Sequence, residues 1–197
     1  GGVRLIENSK YEAPVVYSLN AKWQPIDKIN IRASYGKGFR SPSLKELYLQ
    51  FEDINHNVKG NPNLEAEYSE NYNLSANYKT EKGKHRLNYS LKLYHNRINN
   101  KIDFAFDSID ATKADYININ GTYKTIGGQF DVIYRFHPRF KFTAGVNYYG
   151  NSKLALLNEY TFTPDFVSSA NYHNLKYNFR INLYWKRNGK KSQFINT

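Results

Sequence analysis

Five histidines, seventeen carboxylates and no cysteine set the range of chemistry open to this chain. Without cysteine there is no disulfide framework, thiolate metal site or cysteine nucleophile. The histidine best placed to meet a ligand is His56, in the polar run Asp53-Ile54-Asn55-His56-Asn57. A neutral imidazole suits iron and other transition metals, and the competing reading is a solvated loop histidine flanked by asparagines. His85, His137 and His173 stand at or beside short turn signals and read as structural, while His95 stands near the far end of its strand. Asp103, Asp107, Asp110 and Asp115 share one polar stretch. Spread over a mobile connection, they keep it soluble or bind a cation weakly; acid–base catalysis would need them to converge. No nucleophile elbow, phosphate loop, His-Glu-x-x-His helix or Cys/His cluster occurs, so no enzyme is expected.

His56 lies within a long connection, Gly36 to Glu67, that strands flank on both sides. Loops beyond about 12 to 15 residues are uncommon in compact domains and are usually functional or disordered. Here Arg40-Ser41-Pro42 and Gly60-Asn61-Pro62-Asn63 punctuate the stretch with residues that fix the backbone, which argues for an ordered binding loop. Strict alternation of apolar and polar residues predicts strands over Val15–Gln24, Ile29–Tyr35, Tyr72–Tyr78, Leu87–Tyr94, Ile126–Phe136, Phe140–Tyr148 and Tyr177–Trp185, with a weaker one over Phe166–Tyr172. The face opposite Tyr72, Leu74, Ala76 and Tyr78 reads Asn71, Asn73, Ser75, Asn77, which no dry core would accept.

The connections between these eight segments alternate in length. Tight turns fall at Pro25–Lys28, Glu81–Lys84, His137–Arg139 and His173–Lys176, whereas Gly36–Glu67, Asn99–Asn118 and Tyr149–Thr163 are long. Short turns at one end and long loops at the other are the pattern of an outer-membrane barrel, and aromatic residues near both strand ends fit its two interfacial girdles. Composition agrees: 16% of residues are aromatic, yet mean hydropathy is −0.73. No apolar run is long enough for a transmembrane helix. A soluble all-β sandwich or barrel is the alternative. The net charge of +11 would by itself suggest anionic partners, but the basic residues are scattered and the aromatics are tied to one sheet face, so nucleic acid is not expected. The chain opens Gly1-Gly2-Val3-Arg4, without the charged and apolar regions of a signal peptide, and is read as an internal piece of an exported protein.

The two punctuation marks carry a family resemblance. Phe39-Arg40-Ser41-Pro42 and Asn61-Pro62-Asn63-Leu64 resemble the paired Phe-Arg-Ala-Pro and Asn-Pro-Asn-Leu boxes in the barrels of TonB-dependent outer-membrane receptors. Ser41 replaces the alanine, and Glu65-Ala66-Glu67 stands where the family often has Pro-Glu. The setting is similar too, with Tyr35-Gly36-Lys37-Gly38 before the first box, Lys45-Glu46-Leu47-Tyr48 after it, and Glu70-Asn71-Tyr72 after the second. The likeness is strong from about Trp23 to Tyr78 and beyond that is one of pattern.

This resemblance implies an all-β fold: an antiparallel transmembrane β-barrel segment, about eight strands of a barrel of about 22. Residues 1–197 would form part of that single barrel domain, with plug and closing strands absent. It implies a receptor in the outer membrane of a Gram-negative bacterium that binds and imports an iron complex, haem or cobalamin with TonB-derived energy. The implied partners are outer-membrane lipid, the TonB complex through the missing plug region and a small-molecule nutrient at the external loops; there would be no intrinsic cofactor, only haem or another metal chelate as cargo. A passive barrel or adhesin without energy coupling is the alternative. Haem receptors of this type use a histidine of the corresponding loop as an axial ligand, which implies His56 as ligand to haem iron. Phe39, Arg40, Asn61 and Asn63 would join it in the ligand-binding loop. The plainer reading makes Phe39, Arg40 and Pro42 a rigid strand exit, with Arg40 bonded to loop carbonyls or Glu46, and Asn61, Pro62 and Leu64 a turn. Arg32, Lys92, Asp131, Arg135 and Arg180 would face the lumen.

Overall fold

The computed structural model describes residues 1–54, 56–107, 110, 112–137, 139–152 and 159–189. In chain order its elements are β1 (Gly2–Arg4), β2 (Val16–Ile26), β3 (Ile29–Arg40), α1 (Leu44–Tyr48), β4 (Gln50–Glu52), β5 (Asn57–Lys59), β6 (Glu67–Lys82) and β7 (His85–Asn99). Then come β8 (Ile102–Phe106), β9 (Lys113–Asn118), β10 (Thr122–Phe136), β11 (Phe140–Ser152), β12 (Tyr160–Asn174) and β13 (Phe179–Arg187). A nine-stranded wall has the order β1-β2-β3-β6-β7-β10-β11-β12-β13, every pair antiparallel, and β4-β5-β9-β8 form a second, four-stranded sheet.

The wall is built by the period of two in its sequence. Because successive side chains leave opposite faces of a strand, the register that aligns Ile31 with Ala76, Leu91, Phe130, Val146 and Phe166 gathers the apolar residues on one face. The neighbouring row aligns Arg32, Ser75, Lys92, Gln129, Asn147 and Asp165 on the other. Asp131, Arg135 and Arg180 share that polar face by register. A slip of one residue in any strand would put its whole apolar set among the charges, which is what fixes the pairing. The apolar alternation of β10 runs from Ile126 to Phe136, matching the roughly 9–11 residues that a tilted strand needs to cross a bilayer.

The apolar face is not covered by protein. Phe130 is 41% exposed, Phe142 45%, Trp185 53% and Leu183 66%. An uncovered apolar surface running the width of a nine-stranded sheet is far beyond what a water-soluble protein tolerates, and it is what lipid would cover. Among the described residues, Leu47, Leu64, Ala66, Ile102 and Ala114 are buried, and so is Pro42, all on the long-connection side of the wall.

Of the turns at the short end, those between β2 and β3 (Asp27–Lys28) and between β6 and β7 (Gly83–Lys84) fall within the expected stretches, with Gly83 at φ +60 supplying a left-handed residue. The last falls at Leu175–Asn178, two residues later than His173–Lys176, and Pro138 of the His137–Arg139 turn lies outside the described residues. Three further details differ from the sequence reading. The wall strands run further toward the loops than alternation alone suggested: β3 reaches Arg40, β6 starts at Glu67 and β7 extends to Asn99. Lys37, Glu70 and Arg97 break the apolar pattern there without breaking the ladder. The weak strand over Phe166–Tyr172 is a full one, Tyr160–Asn174. Its Pro164 lies where β13 has not yet joined, so no ladder hydrogen bond is lost on that side. The described residues of the second long connection are not irregular coil but include the β8–β9 hairpin, which is held to the first connection; residues 108, 109 and 111 lie outside the described residues. Of the third, residues 153–158 lie outside the described residues.

Candidate functional site

The ordered part of the first connection starts from Arg40. As the last residue of β3 it stands opposite Glu67, the first residue of β6, and its Nε donates to Glu67 Oε2 at 2.6 Å. Its Nη1 donates to both oxygens of Glu46 at 2.9 Å. Glu46 in turn closes a capping box on α1: Ser43 Oγ accepts from the Glu46 backbone N–H at 3.2 Å, and Glu46 Oε2 accepts from the Ser43 N–H at 2.7 Å. Pro42 ahead of the cap is buried. The guanidinium thus ties the end of one wall strand, the start of the next and helix α1 together. The Glu67 hydrogen bond holds Arg40 charged, above its ordinary range. Burial works to raise the Glu46 pKa, but hydrogen bonds from Ser43 and Arg40 outweigh it and hold the carboxyl below its usual value. Glu46 is thus one of the two acceptors foreseen for Arg40.

The second box closes on the same helix. Gly60 N–H donates to Leu49 O at 2.7 Å and Asn61 N–H to Glu46 O at 2.8 Å. A Cβ at position 60 would stand 2.6 Å from the backbone nitrogens of Tyr48 and Leu49, so the close approach requires glycine. Asn61 Oδ1 accepts from the Asn63 N–H at 2.9 Å, a side-chain turn that leads into Pro62 and Asn63. Leu64 is then delivered, 2% exposed, into a small core with Leu47, Ile102 and Tyr116.

Ile102 and Tyr116 belong to the second connection, and further bonds lock the two together. Asn61 Nδ2 donates to Tyr116 O at 3.1 Å, and Glu67 Oε1 accepts from the Ile102 N–H at 2.6 Å. Asn118 Oδ1 accepts from the Glu65 N–H at 2.8 Å while its Nδ2 donates to Glu65 O and Asn100 O. β5 pairs in parallel with β9, Asn57 to Lys59 against Lys113 to Asp115. The product is one platform made from two connections. Sequence reading missed Glu65, Glu67, Asn100, Asn118 and β9 as its fasteners, because side chains bonded to distant main chain leave no spacing signal.

His56 sits at the tip of the β4–β5 hairpin, outside that core. Asp53 Oδ1 accepts from the His56 N–H at 2.7 Å, and His56 Nδ1 lies 3.1 Å from the same oxygen. The imidazole side chain is 62% exposed, with the Phe51 ring 6.4 Å away. With Nδ1–H donating to Asp53, the Nε2 lone pair is left for another group, the arrangement in which a carboxylate orients a ligating histidine. Phe51, Val58, Ala114 and Phe106 align across the small sheet on one face, with Phe51 49% and Phe106 60% exposed. Of the other candidates, the structure brings Arg40, Asn61 and Asn63 into the platform and places Phe39 on the wall, its ring 5.7 Å from Tyr68.

Of the acids of the second connection, Asp103 and Asp110 are occupied locally. Asp103 Oδ2 accepts from Lys101 Nζ at 2.6 Å. Asp110 accepts from the Thr112 hydroxyl and backbone N–H and pairs with Lys113, and these contacts, led by the Thr112 hydroxyl, hold its carboxyl below its usual value. Among the described residues no three His, Asp or Glu side chains are grouped as metal ligands would be.

Comparison with known proteins agrees with this geometry. The chain is 26% identical over 113 residues to the probable hemoglobin and hemoglobin-haptoglobin-binding protein 4 of Haemophilus influenzae, covering 57% of this chain and 10% of that protein. It is 29% identical over 121 residues to the vitamin B12 transporter BtuB of Photobacterium profundum, covering 61% and 18%. The chain therefore spans between about a tenth and a fifth of the length of these relatives. Among solved structures, the copper transporter OprC superposes with a TM-score of 0.67 at 14% identity, over 87% of this chain and 26% of that one. The siderophore receptor PirA of Pseudomonas aeruginosa gives 0.61 at 17% identity, over 91% and 35%. Residues 1–197 match the family described as TonB dependent receptor-like, beta-barrel. With an antiparallel wall whose apolar face no protein covers, and with Arg40 and the second box joined in one platform, the chain is a section of such a barrel and belongs to the TonB-dependent receptor family.

Proposed function

We propose that this chain is part of an outer-membrane receptor that binds haem, a cobalamin or another iron complex at its external platform and imports it with TonB-derived energy. The observation that carries the reading is the joining of the two connections. The platform they form is held at the loop end of the wall by Arg40, Glu67 and Asn118, and it presents His56, Phe51 and Phe106 to solvent. An exposed imidazole beside the exposed Phe51 ring, on a sheet that also exposes Phe106, suits a flat, largely apolar ligand with a metal at its centre. Arg40, Asn61 and Asn63 act on such a ligand by holding the platform in shape. The relatives named for hemoglobin binding and for vitamin B12 transport support this class of cargo. Such a receptor is a transporter and not an enzyme.

Titrating haem into the intact receptor in detergent, followed by visible absorbance, tests the reading. A saturable ligation band that weakens severalfold in His56→Ala assigns the cargo as haem and His56 as an iron ligand. No band in either protein returns His56 to a solvated role, and a parallel titration with cobalamin then decides for a corrinoid.

A further inference from the structure

The connection between β1 and β2 packs against the platform. Lys10 Nζ donates to Pro62 O at 3.1 Å, and the Tyr68 hydroxyl donates to Glu12 O at 3.0 Å, so this connection is fixed to the second box and to β6. Between it and the first box lies a cleft of about 420 Å³, with Arg4, Ile6 and Asn8 on one side and Phe39, Arg40 and Ser41 on the other. Register puts both arginines on the polar side of the wall. Gly2 aligns with Ser18 and Gly36 on the face of Arg32, and Arg4 and Arg40 lie two and four positions beyond those glycines on their own strands.

The side chains left free in this cleft can all donate hydrogen bonds. Among the described residues no hydrogen bond or ion pair engages the Arg4 side chain, whereas Glu46 and Glu67 already hold Arg40. Asn8 Oδ1 accepts from the Lys10 and Tyr11 N–H groups at 3.0 and 2.9 Å, a side-chain turn that uses the oxygen and leaves the Nδ2 hydrogens. Ser41 adds a hydroxyl where the box of the family has alanine. A guanidinium offers a carboxylate two parallel hydrogen bonds, and Ile6 and Phe39 can cover the carbon arm that bears it. A carboxylate ends its arm and can enter such a cleft, while a phosphodiester carries a substituent on each side.

We propose that this cleft binds a carboxylate borne on a short arm of a flat, macrocyclic cargo, with Arg4 as the charged contact and Asn8 and Ser41 as further donors. The inference rests on the reading that such a cargo meets the platform. It adds the group that tells a porphyrin with carboxylate arms from a corrinoid whose arms are amides.

The test uses the intact receptor in neutral detergent, titrated with iron-free protoporphyrin IX and with its diamide, in which both carboxyl groups are neutral. Binding is read by porphyrin fluorescence anisotropy, with the signal of empty micelles subtracted. Protoporphyrin IX should bind roughly tenfold or more tightly than the diamide. Arg4→Gln should remove most of that preference and leave diamide binding unchanged, and Ser41→Ala should reduce it severalfold. Arg180→Gln, at the short-turn end of the same polar face, should change neither ligand's affinity. Because the probes carry no iron, His56→Ala should leave the preference intact, so a failure of iron ligation and a failure of this cleft are read separately. Equal affinity for the two porphyrins, no saturable binding of protoporphyrin IX, or a preference that survives Arg4→Gln would overturn the proposal.

Discussion

Arg40 is held by two carboxylates and, through them, by two elements, so its removal acts beyond its own position. In Arg40→Ala, Glu46 and Glu67 lose their cation while remaining only 15% exposed. The platform should lose about 1–3 kcal/mol of local stability, toward the lower end because the guanidinium is 45% exposed and partly screened by water. Limited proteolysis between Ser43 and Leu64 would show it as faster cleavage. Protonation should loosen the same joint in the unaltered protein. Because Glu46 titrates lower when folded than its ordinary 4.5, its contribution is complete above that pH and is lost as pH falls through the folded value. Proteolysis in this segment should therefore be unchanged from pH 7 to 5 and rise only in stronger acid. Arg40, Asn61 and Asn63 were legible as an ordered loop because their residue types punctuate the chain. Their partners were not, since Glu67 reaches a main-chain group 35 residues away and Asn118 one 53 residues away.

At the scale of elements, the parallel pairing of β5 with β9 makes one body of two connections that look independent in sequence. Asn118 is the fastener with the most main-chain bonds, to Glu65 N, Glu65 O and Asn100 O. Asn118→Ala leaves these groups without their partner and should cost about 1–3 kcal/mol of local stability. Hydrogen exchange should quicken in both β5 and β9 while β6 and β10 keep their protection. Faster exchange in β9 alone would mean that the connections are not coupled. The β8–β9 hairpin could not be read as strand because Asp103, Asp107, Asp110 and Asp115 gave its stretch the composition of a solvated loop. Its apolar side, Phe104, Phe106, Ala114 and Tyr116, becomes a face only once the register is known.

For the whole molecule, the alternation of short and long connections foretold the wall, its two faces and the end that carries the platform. That legibility follows from a side-chain period of two, which every wall strand obeys over most of its length. It fails at strand ends, where Lys37, Glu70, Arg97 and Lys124 leave the apolar set while the hydrogen-bond ladder continues. The faces predict opposite tolerances. Phe130→Lys puts a charge in the middle of the apolar face and should cost about 2–4 kcal/mol of barrel stability in lipid, whereas Gln129→Lys, on the polar face, should cost far less. Urea unfolding of the intact receptor in bilayers would compare the two, and equal losses would mean that the apolar face does not meet lipid. The central claim, energised import, is tested most directly by uptake of labelled haem and cobalamin into cells that depend on the intact receptor, with and without collapse of the inner-membrane proton gradient. Accumulation of one cargo should stop when the gradient is lost, while surface binding persists. Accumulation that continues unchanged without the gradient would contradict it and make the protein a passive barrel.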